Sequence, residues 1–136
     1  MKEITLDATL ENLEKVTDFV NEQLEQCDCP LKAQTQIDIV IDELFSNIAH
    51  YAYNPDKGSA TVCIEVTEEP ISVILTFIDS GVPYNPLCHD DPDITLSVEE
   101  RDIGGLGIFM VKKTMDEINY EYRDGKNILT VKKHIK

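Results

Sequence analysis

Asp42-Glu43-Leu44-Phe45-Ser46-Asn47-Ile48-Ala49-His50-Tyr51-Ala52-Tyr53 carries two rows of side chains at once. At the helical advance of about 100° per residue, Leu44, Phe45, Ile48 and Ala52 fall on one face with the upstream Ile37 and Ile41, so the spacing predicts a helix with a core-facing stripe. That helix should run from about Leu31 to Tyr53 and close at Asn54-Pro55, with a turn through Gly58. Glu43 and Asn47 stand one turn apart on a second row, offset by about 40°, and His50 lies on the same line. The row is rotated off the core stripe and can face a cleft at its edge. A carboxylate there can take up a proton, and an amide oxygen can complete a hard, oxygen-rich shell, which is the chemistry of a magnesium-phosphate site. An ordinary solvated helix face also carries Glu and Asn at this spacing, and the spacing alone leaves both readings open.

Upstream, Glu3 to Leu6 has a short strand signal, and Leu10, Leu13, Val16, Val20 and Leu24 recur at helical spacing until near Pro30. Downstream the period changes. Ala60 to Thr67 and Ile71 to Ile78 alternate around Glu68-Glu69-Pro70 and read as a hairpin. The stretch from Ser80 to Gly105 holds Pro83, Pro86 and Pro92 with acids at 90, 91, 93, 99, 100 and 102. A loop of that length in a compact domain is usually a functional lid or a disordered segment. Leu106 to Met115 reads as a short helix opening after glycines, and Ile118 to Arg123 with Asn127 to Ile135 flank Asp124-Gly125, a type I′ hairpin signal. The order β-α-α-β-β-loop-α-β-β predicts an α/β fold of the two-layer α+β kind, helices on one face of a mixed, mostly antiparallel sheet. No repeat or Gly/Ser linker interrupts it, so residues 1–136 are expected to form a single domain.

Twelve Lys and Arg against 26 Asp and Glu leave a formal charge of −14. Such a surface argues against direct nucleic-acid binding and against docking on anionic lipid. No run of 18 apolar residues occurs, and the first residues lack the apolar core of a signal peptide, so a cytoplasmic protein is the default expectation. Cys27, Cys29, Cys63 and Cys88 are then expected to be reduced. Cys27-x-Cys29 has the wrong spacing for a C-x-x-C knuckle. Cys88-His89-Asp90-Asp91 could hold a metal, but structural zinc sites bring two spaced ligand pairs and none is evident. An anionic ligand here would need a local device: a metal ion, a helix N-terminus or a nest of amides.

Two further stretches carry chemistry. Phe77-Ile78-Asp79-Ser80-Gly81-Val82-Pro83 puts an acid at the end of an apolar strand, in a crevice. Such a carboxylate can accept the amino hydrogen of adenine, where guanine offers an acceptor instead. Gly81 permits a positive φ and close backbone approach, and Pro83 stiffens the turn. A plain Asp-x-Gly turn would look the same. Ile103-Gly104-Gly105-Leu106-Gly107 precedes an apolar helix, so its amides and the helix dipole could bind phosphate; a simple hinge is the other reading. Neither the Rossmann nor the P-loop spacing is present.

In this order the three motifs resemble the GHKL ATP-binding superfamily, most closely its small anti-sigma-factor serine/threonine kinase branch, over nearly the whole chain. The resemblance implies a Bergerat-type ATP-binding fold, the histidine-kinase-like ATPase domain. Glu43-x-x-x-Asn47 looks like the box whose Glu is the general base and whose Asn binds magnesium. Asp79-x-Gly81-x-Pro83 looks like the adenine-reading box, and Gly104-Gly105-Leu106-Gly107 like the one that wraps the phosphates. Residues from about 87 to 103 would be the ATP lid. One departure stands out: where the family has His-Ala-Tyr, this chain has Tyr51-Ala52-Tyr53, with His50 one position earlier. His50 could stand near the phosphates or be a plain helix-end residue.

The resemblance further implies ATP and Mg2+ as ligands and phosphoryl transfer to a serine of a small anti-sigma-factor antagonist of the STAS type. A sigma factor would be the competing partner, and a homodimer the working unit. Arg101 is a candidate for a γ-phosphate contact, or it pairs with Glu99, Glu100 or Asp102. The competing reading is a non-catalytic Mg-ATP-binding module that sequesters a regulatory protein. Chaperone, gyrase and mismatch-repair ATPases need further domains, and a sensor histidine kinase needs a phosphoacceptor helix; neither fits these 136 residues.

Overall fold

A computed structural model describes residues 1–53, 58–68, 71–85 and 103–135, with only the backbone for 103–107. The chain forms β1 (Lys2–Asp7), a 3-10 turn (Leu10–Asn12), α1 (Leu13–Gln26), α2 (Leu31–Asn47), a π-helical turn (Ile48–Ala52), β2 (Ser59–Thr67), β3 (Ser72–Asp79), α3 (Ile103–Thr114), β4 (Glu117–Arg123) and β5 (Lys126–His134). The five strands lie in the order β1-β2-β3-β5-β4. Every pairing is antiparallel, so the expected parallel component is not found among the described residues. Short hairpins explain two of the four pairings: β2–β3 and β4–β5 are sequential neighbours, and such links cannot join parallel strands. Asp124 and Gly125 at the β4–β5 tip both have positive φ, 55° and 75°, as a type I′ turn requires.

Alternation sets which face meets the helices. On β3, Val73, Leu75 and Phe77 are buried, and on β5 Leu129 and Val131 are buried beside them. Val16, Val20 and Leu24 of α1, Ile37, Ile41, Leu44 and Phe45 of α2, and Ile108 and Val111 of α3 complete the core. The alternation continues to Asp79 and Asn127, which are register partners at the same end of the sheet. Both face inward, and both are buried at 6% exposure. Two polar side chains thus stand where the pattern calls for apolar ones.

Two helix boundaries differ from expectation. The α-helix expected to reach Tyr53 ends at Asn47 and continues as one π-helical turn. The third helix begins at Ile103 rather than Leu106, so Gly104, Gly105 and Gly107 lie within its first turns, not ahead of it. Glycine costs a helix about 1 kcal/mol relative to alanine but does not forbid it. Ile108, Val111 and Met115 bury on the core at helical spacing and offset that cost. Cys27 and Cys63 are free thiols, Cys63 buried, whereas Cys88-His89-Asp90-Asp91 lies outside the described residues. Among the described residues, no helix is long and apolar enough to cross a membrane.

α1 ends in a Schellman motif. The Cys29 amide donates to the Leu24 carbonyl at 3.1 Å and the Asp28 amide to that of Glu25 at 3.3 Å. Asp28 takes the left-handed position, φ 55°, which usually belongs to glycine. Asp28→Gly relieves this backbone strain and loses part of the gain to unfolded-chain entropy. A net stabilisation of about 0.5 kcal/mol is expected, seen as a rise of about 2 °C in a thermal melt; a fall in Tm would contradict the assignment.

Candidate functional site

The π-helical turn organises the site. Its wider, i→i+5 winding breaks the α-helical row after Asn47 and re-aims the residues that follow. Tyr51 and Ala52 turn toward the end of β3, and Gly81 packs against the Ala52 backbone. A Cβ at position 81 would stand 2.2 Å from the Ala52 carbonyl oxygen, so only glycine fits. The Val82 amide donates to that same carbonyl at 3.0 Å. Gly81 is thus needed for close approach to the chain's own backbone. Positive φ, the other property expected of it, occurs at Gly125 and not here. Tyr53 fastens the turn to the sheet: its hydroxyl donates to the Ser59 carbonyl and accepts from the Ser80 amide, both at 2.7 Å.

The turn, β3, β4 and β5 line a cleft that opens to solvent. Leu44, Phe77 and Leu129 give it an apolar floor; Asn47, Tyr51, Asp79, Val82, Tyr84, Tyr120 and Asn127 bring the polar groups and aromatic rings. Such a cavity, mostly apolar with a few convergent polar groups, is the usual form of a small-molecule site. Asp79 Oδ1 accepts from the Gly81 amide at 2.9 Å, an Asx turn, and from Asn127 Nδ2 at 2.9 Å. The Tyr51 and Tyr84 rings stack with centroids 5.9 Å apart.

Asn47 lines the cleft, and its Nδ2 donates to Glu43 Oε1 at 3.3 Å. Glu43 is half-buried one turn further back on α2. Burial pushes its carboxyl above the ordinary value of 4.5; the Asn47 hydrogen bond works against this and the Asp42 charge adds to it. A carboxylate so placed holds a proton more readily than an exposed one.

The structure therefore brings Asn47, Asp79 and Gly81 to one cleft, with Glu43 behind Asn47. It does not bring His50 there. His50 lines a separate concavity with Asp7, Glu11 and Asn12, on the side of β1 and β2. Pro83 is exposed beyond the cleft wall. Gly104, Gly105, Leu106 and Gly107 belong to the first turns of α3, while Arg101 and the rest of the stretch expected to be a lid, 87–102, lie outside the described residues. Sequence reasoning missed Tyr51, Tyr84, Tyr120 and Asn127. Asn127 did leave a signal: it is a polar residue two and four positions before Leu129 and Val131, on the same inward parity.

A model of the histidine kinase-like ATPase domain family matches residues 6–133. The serine/threonine-protein kinase BtrW of Bordetella bronchiseptica is 29% identical over 93 residues, which are 68% of this chain and 65% of that protein. The serine-protein kinase RsbW of Bacillus mycoides is 29% identical over 98 residues, and that of Bacillus cereus 30% over 98 residues; each match takes in 69% of this chain and 60% of the relative. The chain spans just under two thirds of the length of the curated relatives it matches.

The folded protein holds the Glu43 proton more tightly than the unfolded chain does. The ionised group therefore costs the fold little below its ordinary value of 4.5 and progressively more as pH rises through the raised one. Glu43→Gln, isosteric and uncharged, is expected to leave Tm nearly unchanged at about pH 4 and to raise it at about pH 7 in paired thermal melts. An equal shift at both pH values would contradict the burial argument.

Proposed function

This chain belongs to the histidine kinase-like ATPase domain family, and on that premise we propose that it binds Mg-ATP in the cleft and passes the γ-phosphoryl group to a serine hydroxyl of a partner protein. The observation that carries this reading is the pairing of two differently held carboxylates. Asp79 is buried and clamped by two donors at one end of the cleft, and Glu43 is half-buried behind Asn47 on the helix beside it. One suits recognition and the other proton transfer.

In this reading, Asp79 accepts the amino hydrogen of adenine against the apolar floor. Guanine would set a carbonyl against the carboxylate, acceptor to acceptor. The residues also fit a magnesium ion. Asn47 gives its amide nitrogen to Glu43, which turns the amide oxygen the other way, and neutral oxygens of this kind are accepted by hard cations. Magnesium, when bound, neutralises charge on the phosphates. Gly104 and Gly105 stand in the first turn of α3 and offer backbone amides at its positive end, whereas Gly107, the fifth residue, gives its amide to the helix. We assign Arg101 to the γ-phosphate. His50 and Pro83 have no part in this reading.

Glu43 draws the proton from the serine hydroxyl as that oxygen takes the phosphoryl group, and ADP is the leaving product. Its burial strengthens it as a base. The kinase names of the relatives support the transfer step. For partners we take a small anti-sigma-factor antagonist of the STAS type as the phosphorylated protein and a sigma factor as its competitor, with a homodimer as the working unit. The acidic surface of the chain suits a basic partner face.

Glu43→Gln is expected to bind ATP as the unaltered protein does and to lose transfer by a factor on the order of 10²–10⁴, measured as label passing from ATP to the antagonist's serine. Unaltered protein that binds ATP yet passes no label would contradict the kinase reading and leave a nucleotide-dependent binding module.

A further inference from the structure

We propose that Asn127 is the positioning residue for base selection: it locks the Asp79 carboxylate so that one oxygen belongs to the protein and the other is presented to the exocyclic amino group of the base. This rests on the adenine-reading role given to Asp79 above and goes beyond it by naming what makes that role possible.

The case begins with the strand register. Asn127 is the β5 partner of Asp79, and both face inward at 6% exposure. A buried amide must satisfy two donor hydrogens and its oxygen. Asn127 does so with four partners. Its Nδ2 donates to Asp79 Oδ1 at 2.9 Å and to the Val82 carbonyl at 2.8 Å. Its Oδ1 accepts from the Tyr84 amide at 3.1 Å and from the Tyr120 hydroxyl. The flipped amide would set its oxygen against two acceptors and a hydrogen against the Tyr84 N–H, so one orientation is fixed.

That orientation fixes Asp79 in turn. The last torsion of an aspartate is broad, and a lone carboxylate would turn freely within its well. Here the Asn127 hydrogen and the Gly81 amide both fall on Oδ1. Among the described residues, the hydrogen bonds to this side chain end there, and Oδ2 is the acceptor left for a ligand. The same amide holds the backbone of Tyr84, whose ring stacks on Tyr51 in the cleft. Base edge and base face are thus set from one side chain on a strand that bears none of the sequence motifs.

The test compares ATP with purine riboside triphosphate, which lacks only the 6-amino group, by equilibrium titration. The unaltered protein should prefer ATP by roughly tenfold or more, the worth of a hydrogen bond to a charged acceptor. Asn127→Ala should bring the ratio of the two Kd values close to one. A merely structural residue would weaken both ligands equally and leave the ratio unchanged, which would overturn the inference. Tyr120→Phe removes a single hydroxyl from the network and should lower the ratio part-way; it carries the test alone if Asn127→Ala does not fold by circular dichroism, and an unchanged ratio there overturns the proposal. Absence of any ATP preference in the unaltered protein would overturn the adenine reading itself, a result distinct from a preference that survives both substitutions.

Discussion

A carboxylate placed between a sheet and its helices must find donors there, because leaving a buried charge unpaired costs several kcal/mol. Asp79 is that group, and the surrounding structure meets its demand. Gly81 supplies an amide from the turn that follows β3, and it reaches its position only because the chain there lies against the Ala52 backbone. Ala52 is in reach where α2 closes with a π-helical turn, and Tyr53 ties that turn to β2 and to the residue that follows β3. Asn127 supplies the second donor from β5. Each of these features is costly or unusual alone. Together they satisfy one inward acid and leave a cleft beside it.

The charge of the chain gives that cleft a particular character. Residues 111–136 carry seven Lys and Arg against four Asp and Glu, so the first 110 hold 22 acids and only five bases. Long-range attraction cannot bring a polyphosphate to such a surface. In the proposed reading recognition is local, through an apolar floor, amides at a helix start and a cation held by neutral oxygen. On the same proposal the acidic remainder serves association with a partner protein, where charge governs encounter and selectivity more than affinity.

Much of this was legible before any coordinates. Periodicity located the helices and strands, because Val16, Val20 and Leu24, or Val73, Leu75 and Phe77, must bury on one side whatever else happens. Asp124-Gly125 announced its hairpin through the positive-φ backbone geometry that such a pair favours. The acid at the end of β3 and the Glu43–Asn47 pair could be found because their chemistry is written in local spacing. What stayed hidden depends on distant contacts. Nothing in Ile48 to Ala52 announces a π turn, and the residue packed against it, Gly81, lies 29 residues away in sequence. His50 was placed on an α-helical row that this turn dissolves, so it faces another concavity. Asn127 is meaningful only through its register with Asp79, a relation between strands that local spacing cannot express.

The central claim is that the cleft is built for an adenine nucleotide carried with magnesium. The most direct measurement is a thermal-shift comparison of ATP, ADP and GTP, each with and without magnesium, since a ligand that binds only the folded state raises apparent stability by mass action. The account predicts a clear rise in Tm with ATP and ADP, larger for ATP when magnesium is present, and little or none with GTP. Equal shifts for ATP and GTP, or no shift with any of the three, would contradict it.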